Sequence, residues 1–115
     1  MADEITLRET IALARRIRQR FQNIEGREWG VEGALIELMK QVGELAKYVL
    51  VAEHYYGTER ESQPYYQSDS DKIGDELADI LYVIIRIADH YQIDLLDAYL
   101  QARKAEDEFL KRTGN

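Results

Sequence analysis

Gly74-Asp75-Glu76-Leu77-Ala78-Asp79-Ile80-Leu81-Tyr82-Val83-Ile84-Ile85-Arg86-Ile87 is the stretch that decides how this chain of 115 residues folds. From Ile80 onward it is apolar nearly all the way round, broken only by Arg86. A helix of that composition has to be enclosed by neighbours, so it is predicted to be the central one. Its opening turns carry Glu76 and Asp79, three apart and therefore on one helical face. Carboxylates beside an apolar run are costly unless neutralised, and a divalent cation with oxygen ligands is the usual remedy. Acidic residues in a first turn also complement the helix dipole, which accounts for Asp71 and Asp75. It accounts less well for Asp79, two turns in and flanked by Ala78 and Ile80.

Working outward, the preceding helix is predicted from about Val31 to Glu53. Glu37, Gln41, Glu44 and Tyr48 form a polar stripe along it. Leu35, Leu38, Met39, Val42, Leu45, Ala46 and Val49 form an adjacent apolar stripe. Gly43 in mid-helix costs roughly 1 kcal/mol against alanine and suggests close helix approach or room for a ligand. Residues 54–70, with Gly57, Pro64 and the pairs Tyr55-Tyr56 and Tyr65-Tyr66, are expected to form an irregular loop, functional or disordered. Ser70 or a neighbour should cap the central helix, expected over about Asp71 to Tyr91.

Nearer the ends, Thr6 with Glu9 makes a capping box that opens a first helix at about Leu7. That helix should stop before Gly26. Asp94 with Asp97 signals a last helix, about Leu95 to Lys111, finished by Gly114. The whole reads as one domain over residues 1–115, all-α, a four-helix-type bundle. Four helices barely cover the apolar flanks, which predicts a homo-oligomer, a homodimer or a homotetramer.

Composition narrows the function. One proline and seven glycines leave few helix interruptions, and the absence of cysteine excludes disulfides, thiolate metal sites and a cysteine nucleophile. The longest apolar run is too short to span a bilayer, and no signal peptide is evident, so no membrane partner and a cytoplasmic location are expected. A formal charge of −7 argues against duplex nucleic acid, whose binding rests on phosphate neutralisation by Lys and Arg. It leaves a nucleotide open where metal ions bridge carboxylates and phosphates. His54 and His90 are isolated from any other His or Cys at ligand spacing, so neither is assigned a metal role. Trp29 and the loop tyrosines are either apolar plugs or stacking surfaces for a base. Lys72, Arg86, Arg103 and Lys104 are either solvated or phosphate contacts.

Leu38-Met39-Lys40-Gln41-Val42-Gly43-Glu44-Leu45-Ala46, together with Gly74 to Tyr82, resembles the MazG-like nucleotide pyrophosphohydrolases. Ile87-Ala88-Asp89 and Ile93-Asp94-Leu95 resemble that family's turn into its last helix, so the likeness runs from about Trp29 to Leu100. It implies an all-α enzyme that hydrolyses a nucleoside triphosphate, often a deoxy or non-standard one, to the monophosphate and pyrophosphate with Mg²⁺, or Mn²⁺ in its place. Carried over by position, Glu44, Glu76 and Asp79 would be the metal-binding and catalytic residues. Trp29, Tyr48, Lys72 and Arg86 are the substrate-binding candidates.

The sequence departs from the pattern where Gln41 replaces the first glutamate of Glu-x-x-Glu and Lys40 an acidic neighbour. Ala102 and Glu106 stand where the family has Lys and Asn. Glu37, one turn before Gln41, is the candidate replacement for the missing charge. The alternative is a catalytically impaired relative that binds a nucleotide or a protein partner.

Overall fold

The computed structural model describes residues 4–26 and 30–114, and among them every regular element is helical. These elements are α1 (Leu7–Glu25), α2 (Val31–Ala52), the short α3 (Thr58–Glu61), a 3₁₀ turn (Pro64–Tyr66), α4 (Ser70–His90) and α5 (Leu95–Arg112). The all-α expectation is met. No helix among the described residues is long and apolar enough to cross a membrane.

Local chemistry sets the helix ends. The Thr6 hydroxyl accepts the Glu9 N–H at 3.0 Å and donates to the Glu9 carboxylate at 3.2 Å, a hydroxyl-linked form of the predicted box. Gly26, with φ of 65°, closes α1 by donating its N–H to Gln22 O. The cap of α4 is Asp69 rather than Ser70: its carboxylate accepts the Lys72 N–H at 2.8 Å. Asp94 caps α5 by accepting from Asp97 N–H, as the spacing predicts. His54 and Gln92 adopt left-handed φ of 61° and 55°, ending α2 and α4 with the backbone bonds Tyr55 N–H to Leu50 O and Ile93 N–H to Ala88 O. That six-to-one bond is the usual glycine-closed helix end, here built on non-glycine residues.

The chain forms two compact units. The first comprises residues 1–28 and 85–115, hence α1, the end of α4 and α5. Ile11, Ala14, Ile85 and Ala88 are its buried apolar residues. Arg15 closes on Asp89: its Nε donates to both carboxylate oxygens at 2.8 and 2.9 Å, and Nη2 lies 2.6 Å from Oδ1. Arg8 pairs with the α5 cap Asp94 at 3.1 Å. α5 buries none of its residues.

The second unit comprises residues 29–84, hence α2, α3, the 3₁₀ turn and the first part of α4. Residues 54–70, expected as an irregular loop, are irregular only in part. They carry α3 and the 3₁₀ turn, tied by Gln67 Nε2 donating to the carbonyls of Glu61 and Gln63 and by Ser68 Oγ donating to Tyr48 O. Tyr66 packs on Tyr56 and Tyr65 with ring centroids 5.0 and 5.1 Å apart.

The two stripes of α2 differ in burial. Leu35, Met39, Val42 and Val49 are exposed, Met39 to 68%, whereas Glu37, Gln41, Glu44 and Tyr48 are half-buried beside Leu38 and Leu45. The polar stripe, not most of the apolar one, turns towards the unit's own interior. On α4 the burial is likewise uneven: Val83, Ile85 and Ala88 are buried, but Leu77, Leu81 and Ile84 are exposed.

Candidate functional site

Glu76 sits near the start of α4, half-buried, and its Oε2 is sealed from solvent with no hydrogen-bond partner. Among the described side chains it is the one buried oxygen or nitrogen left so. An uncompensated carboxylate of this kind is expensive, and the expense appears in its ionisation. Burial pushes the Glu76 pKa up, and the charges of Asp79 and Glu44 push it further; Lys40 opposes them. The structure thus brings Glu44 of α2 close enough to the Glu76–Asp79 pair for their charges to act on one another. Asp79 itself is exposed on the next turn, and Glu44 is half-buried.

Gln41 and Glu37 occupy the same inward face one turn earlier. Gln41 Nε2 donates to Glu37 Oε1 at 3.1 Å, and Lys40 Nζ lies 3.0 Å from that same oxygen. Glu37 raises the Lys40 pKa through this contact, mainly by the hydrogen bond. The Glu37 charge is therefore largely compensated within α2 by Lys40 and the Gln41 amide. The excess negative charge of the site rests on Glu44, Glu76 and Asp79.

Two observations bear on a divalent cation. Among the described residues, no three His, Asp or Glu side chains converge closely enough to coordinate an ion. Mutually repelling carboxylates have no reason to converge without a countercharge. In favour, the donor set consists entirely of oxygens, the preference of Mg²⁺ and Mn²⁺. The sealed Glu76 Oε2 is an acceptor oxygen with no hydrogen-bond partner among the described residues. The residues fit a hard cation in chemistry.

The substrate-binding candidates separate. Tyr48 is half-buried one turn after Glu44, with Lys47 Nζ 4.8 Å and Lys72 Nζ 5.9 Å from its ring centre. Lys72 lies one turn before Glu76 on α4. Arg86 lies on α4 two turns past Asp79, about 10 Å along the axis, and belongs to the first unit. Trp29 lies outside the described residues. His54 sits 2.9 Å from Glu61, whose hydrogen bond and charge raise its pKa.

Sequence reasoning did not single out Lys47, and it named Tyr65 only among the loop tyrosines. The spacing Glu44-x-x-Lys47 was a signal for the first, since residues three apart meet on a helix. Nothing local could place Tyr65 against α2. A cleft of ≈ 600 Å³ lies in the first unit, lined by Ile11, Ile85 and the ion-paired Arg8, Arg15, Asp89 and Asp94. Its charges already have partners, and none of the acidic site lines it.

No protein-family model, curated protein or solved structure matches the chain.

Proposed function

We propose that this chain is a MazG-like, Mg²⁺-dependent nucleotide pyrophosphohydrolase that converts a nucleoside triphosphate and water to the monophosphate and pyrophosphate. The observation that carries the reading is Glu76, a sealed and partnerless carboxylate oxygen beside the charges of Glu44 and Asp79. Glu44, Glu76 and Asp79 would hold the ion. Bound there, it would supply a Lewis acid that orients the triphosphate, offsets charge on the leaving pyrophosphate and lowers the pKa of the attacking water. The chain's own residues account for the rest. Lys40 cancels Glu37, so the free charge suits one firmly held ion better than two. Gln41, hydrogen-bonded to Glu37, offers a neutral oxygen and cannot act as a base. Tyr48 places an aromatic ring beside the carboxylates, where a base can stack.

Assembly as a homo-oligomer, in a four-helix-type bundle of this family, is part of the same reading. Leu35, Met39, Val42, Ala46 and Val49 repeat at four- and three-residue spacing on the exposed face of α2. That is the spacing of a helix seam waiting for a partner helix. Leu77, Leu81 and Ile84 repeat it on α4.

The test is a panel of ribo-, deoxyribo- and modified nucleoside triphosphates with Mg²⁺ or Mn²⁺, with pyrophosphate and phosphate detected separately. Pyrophosphate release is expected. Its absence with every substrate sinks the catalytic reading. The engagement of Gln41 with Glu37 favours a second reading, a relative that binds nucleotide without turnover. If Gln41→Glu creates activity in an otherwise inert chain, that reading prevails. Unchanged Mg²⁺ binding and turnover in Glu37→Ala would remove Glu37 from the site.

A further inference from the structure

The Lys47 side chain is only 16% exposed, yet its ammonium has no hydrogen-bond acceptor among the described residues. Its nearest oxygen is Glu44 Oε2 at 3.8 Å, too far for a hydrogen bond. What holds it is aromatic: Nζ lies 3.9 Å from the Tyr65 ring centre and 4.8 Å from that of Tyr48. Ring faces attract a cation but do not take up its three directed N–H donors. Nζ is not sealed from solvent, as Glu76 Oε2 is, so its N–H donors are open to an anionic ligand.

Lys47 is also one turn from the inward carboxylates, on the helix that carries Glu44. From there, we infer that Lys47 is the residue that contacts the triphosphate, held in position by the Tyr65 ring. The inference rests on the metal-site reading above and names its anion-contacting group. Ala102 and Glu106, which stand where a phosphate-contacting Lys and Asn would be expected, leave that role open in α5. The 3₁₀ turn acquires a purpose: Tyr65, 66% exposed, is held edge-on by Tyr66, which accepts a hydrogen bond from Arg60 Nη2 at 2.9 Å. Residues 54–70 thus bring an aromatic wall to a lysine on α2.

The experiment measures Mn²⁺ alone, and then inorganic tripolyphosphate in the presence of Mn²⁺, by titration calorimetry, with Tm for each variant. Tripolyphosphate removes any contribution from a base. In Lys47→Met, Mn²⁺ binding is expected to be retained or tightened, since a competing cation beside Glu44 is gone. Tripolyphosphate binding should weaken about tenfold to a hundredfold, the scale of one lost charged hydrogen bond. Lys47→Arg should stay within a few-fold of the unaltered chain. Tyr65→Leu, at an exposed position that does not endanger folding, should weaken tripolyphosphate several-fold and leave Mn²⁺ binding intact. Equal tripolyphosphate binding in Lys47→Met and the unaltered chain overturns the inference. So does a joint loss of Tm, Mn²⁺ and tripolyphosphate binding in Lys47→Met with tripolyphosphate binding unaffected in Tyr65→Leu, since Lys47 is then structural. If the unaltered chain binds no Mn²⁺, the metal site itself fails and this inference falls with it, a result distinct from the other two.

Discussion

α4 carries two part-buried carboxylates of opposite circumstance. Asp89, near its end, is gripped by Arg15 through three short contacts and is only 13% exposed. Glu76, near its beginning, has a sealed oxygen with no partner and two like charges for neighbours. The same helix therefore holds one acidic group that the fold has satisfied and one that it has not. A satisfied carboxylate stabilises its surroundings and asks for nothing. An unsatisfied one costs stability until a ligand arrives, which is the signature of a site rather than of a scaffold.

The largest effect that separates them is on metal binding. Glu76→Gln should weaken Mn²⁺ binding roughly a hundredfold, the scale expected when a site loses one ionised ligand. Asp89→Asn should leave it unchanged. Calorimetry or Mn²⁺ electron spin resonance reads both, and equal losses in the two variants would erase the distinction.

Next comes the stability of Asp89 itself. Removing it leaves the Arg15 guanidinium with solvent and the weaker charge of Asp94. Asp89→Ala is expected to cost about 2 kcal/mol in denaturant unfolding. That is below the loss for a deeply buried pair, because Arg15 is more than half exposed. A loss under about 0.5 kcal/mol would mean that the pair is merely a surface contact.

How much of this contrast could be read in the sequence depends on the residue. Glu76 and Asp79 were legible because their three-residue spacing beside an apolar run is a local pattern. So were Thr6, Gly26 and Asp94, whose capping chemistry acts within one turn. The Asp89–Arg15 pair was not, since its partners are far apart in the chain and neither residue type is unusual on a helix. On α2 periodicity identified the apolar stripe but not what covers it, and Leu35, Met39, Val42 and Val49 are exposed. The order in residues 54–70 was hidden because Tyr65, Tyr66 and Arg60 act through ring contacts, which composition does not reveal.

A smaller effect is on the pH dependence of folding, measured in EDTA so that no cation holds Glu76 ionised. Its folded pKa is raised above the ordinary 4.5, so the folded chain binds that proton more tightly than the unfolded chain does. Stability from this group should rise as pH falls from the elevated pKa towards 4.5. Glu76→Gln should abolish the rise and be more stable than the unaltered chain at pH 7, by about 1 kcal/mol, the scale of relieving one unsatisfied buried group. Asp94 acts in a separate window. The Asp97 N–H and Arg8 lower its pKa below 3.8, so its contribution is present above that value and lost as pH falls through the lowered one. A Glu76→Gln chain whose curve follows the unaltered one between pH 7 and 4.5 would show that the carboxylate is not under strain.

The finest division of the comparison is whether Asp89 is satisfied by charge or by shape. Arg15 presents Nε to both carboxylate oxygens while Nη2 reaches one of them, a forked geometry that an ammonium cannot reproduce. Arg15→Lys keeps the charge, shortens the reach and leaves one Asp89 oxygen poorly paired. The expected cost is about 0.5–1 kcal/mol, a fraction of that for Asp89→Ala, with Mn²⁺ binding unaltered. If Arg15→Lys costs as much as Asp89→Ala, the fork is what satisfies Asp89, and charge alone at Glu76 would not suffice either. If it costs nothing, any nearby cation will do, and Lys40 would already be enough to quiet Glu76. The metal reading needs the intermediate result: a carboxylate is quieted only by a partner that reaches its oxygens, and Lys40, spent on Glu37, leaves Glu76 Oε2 without one.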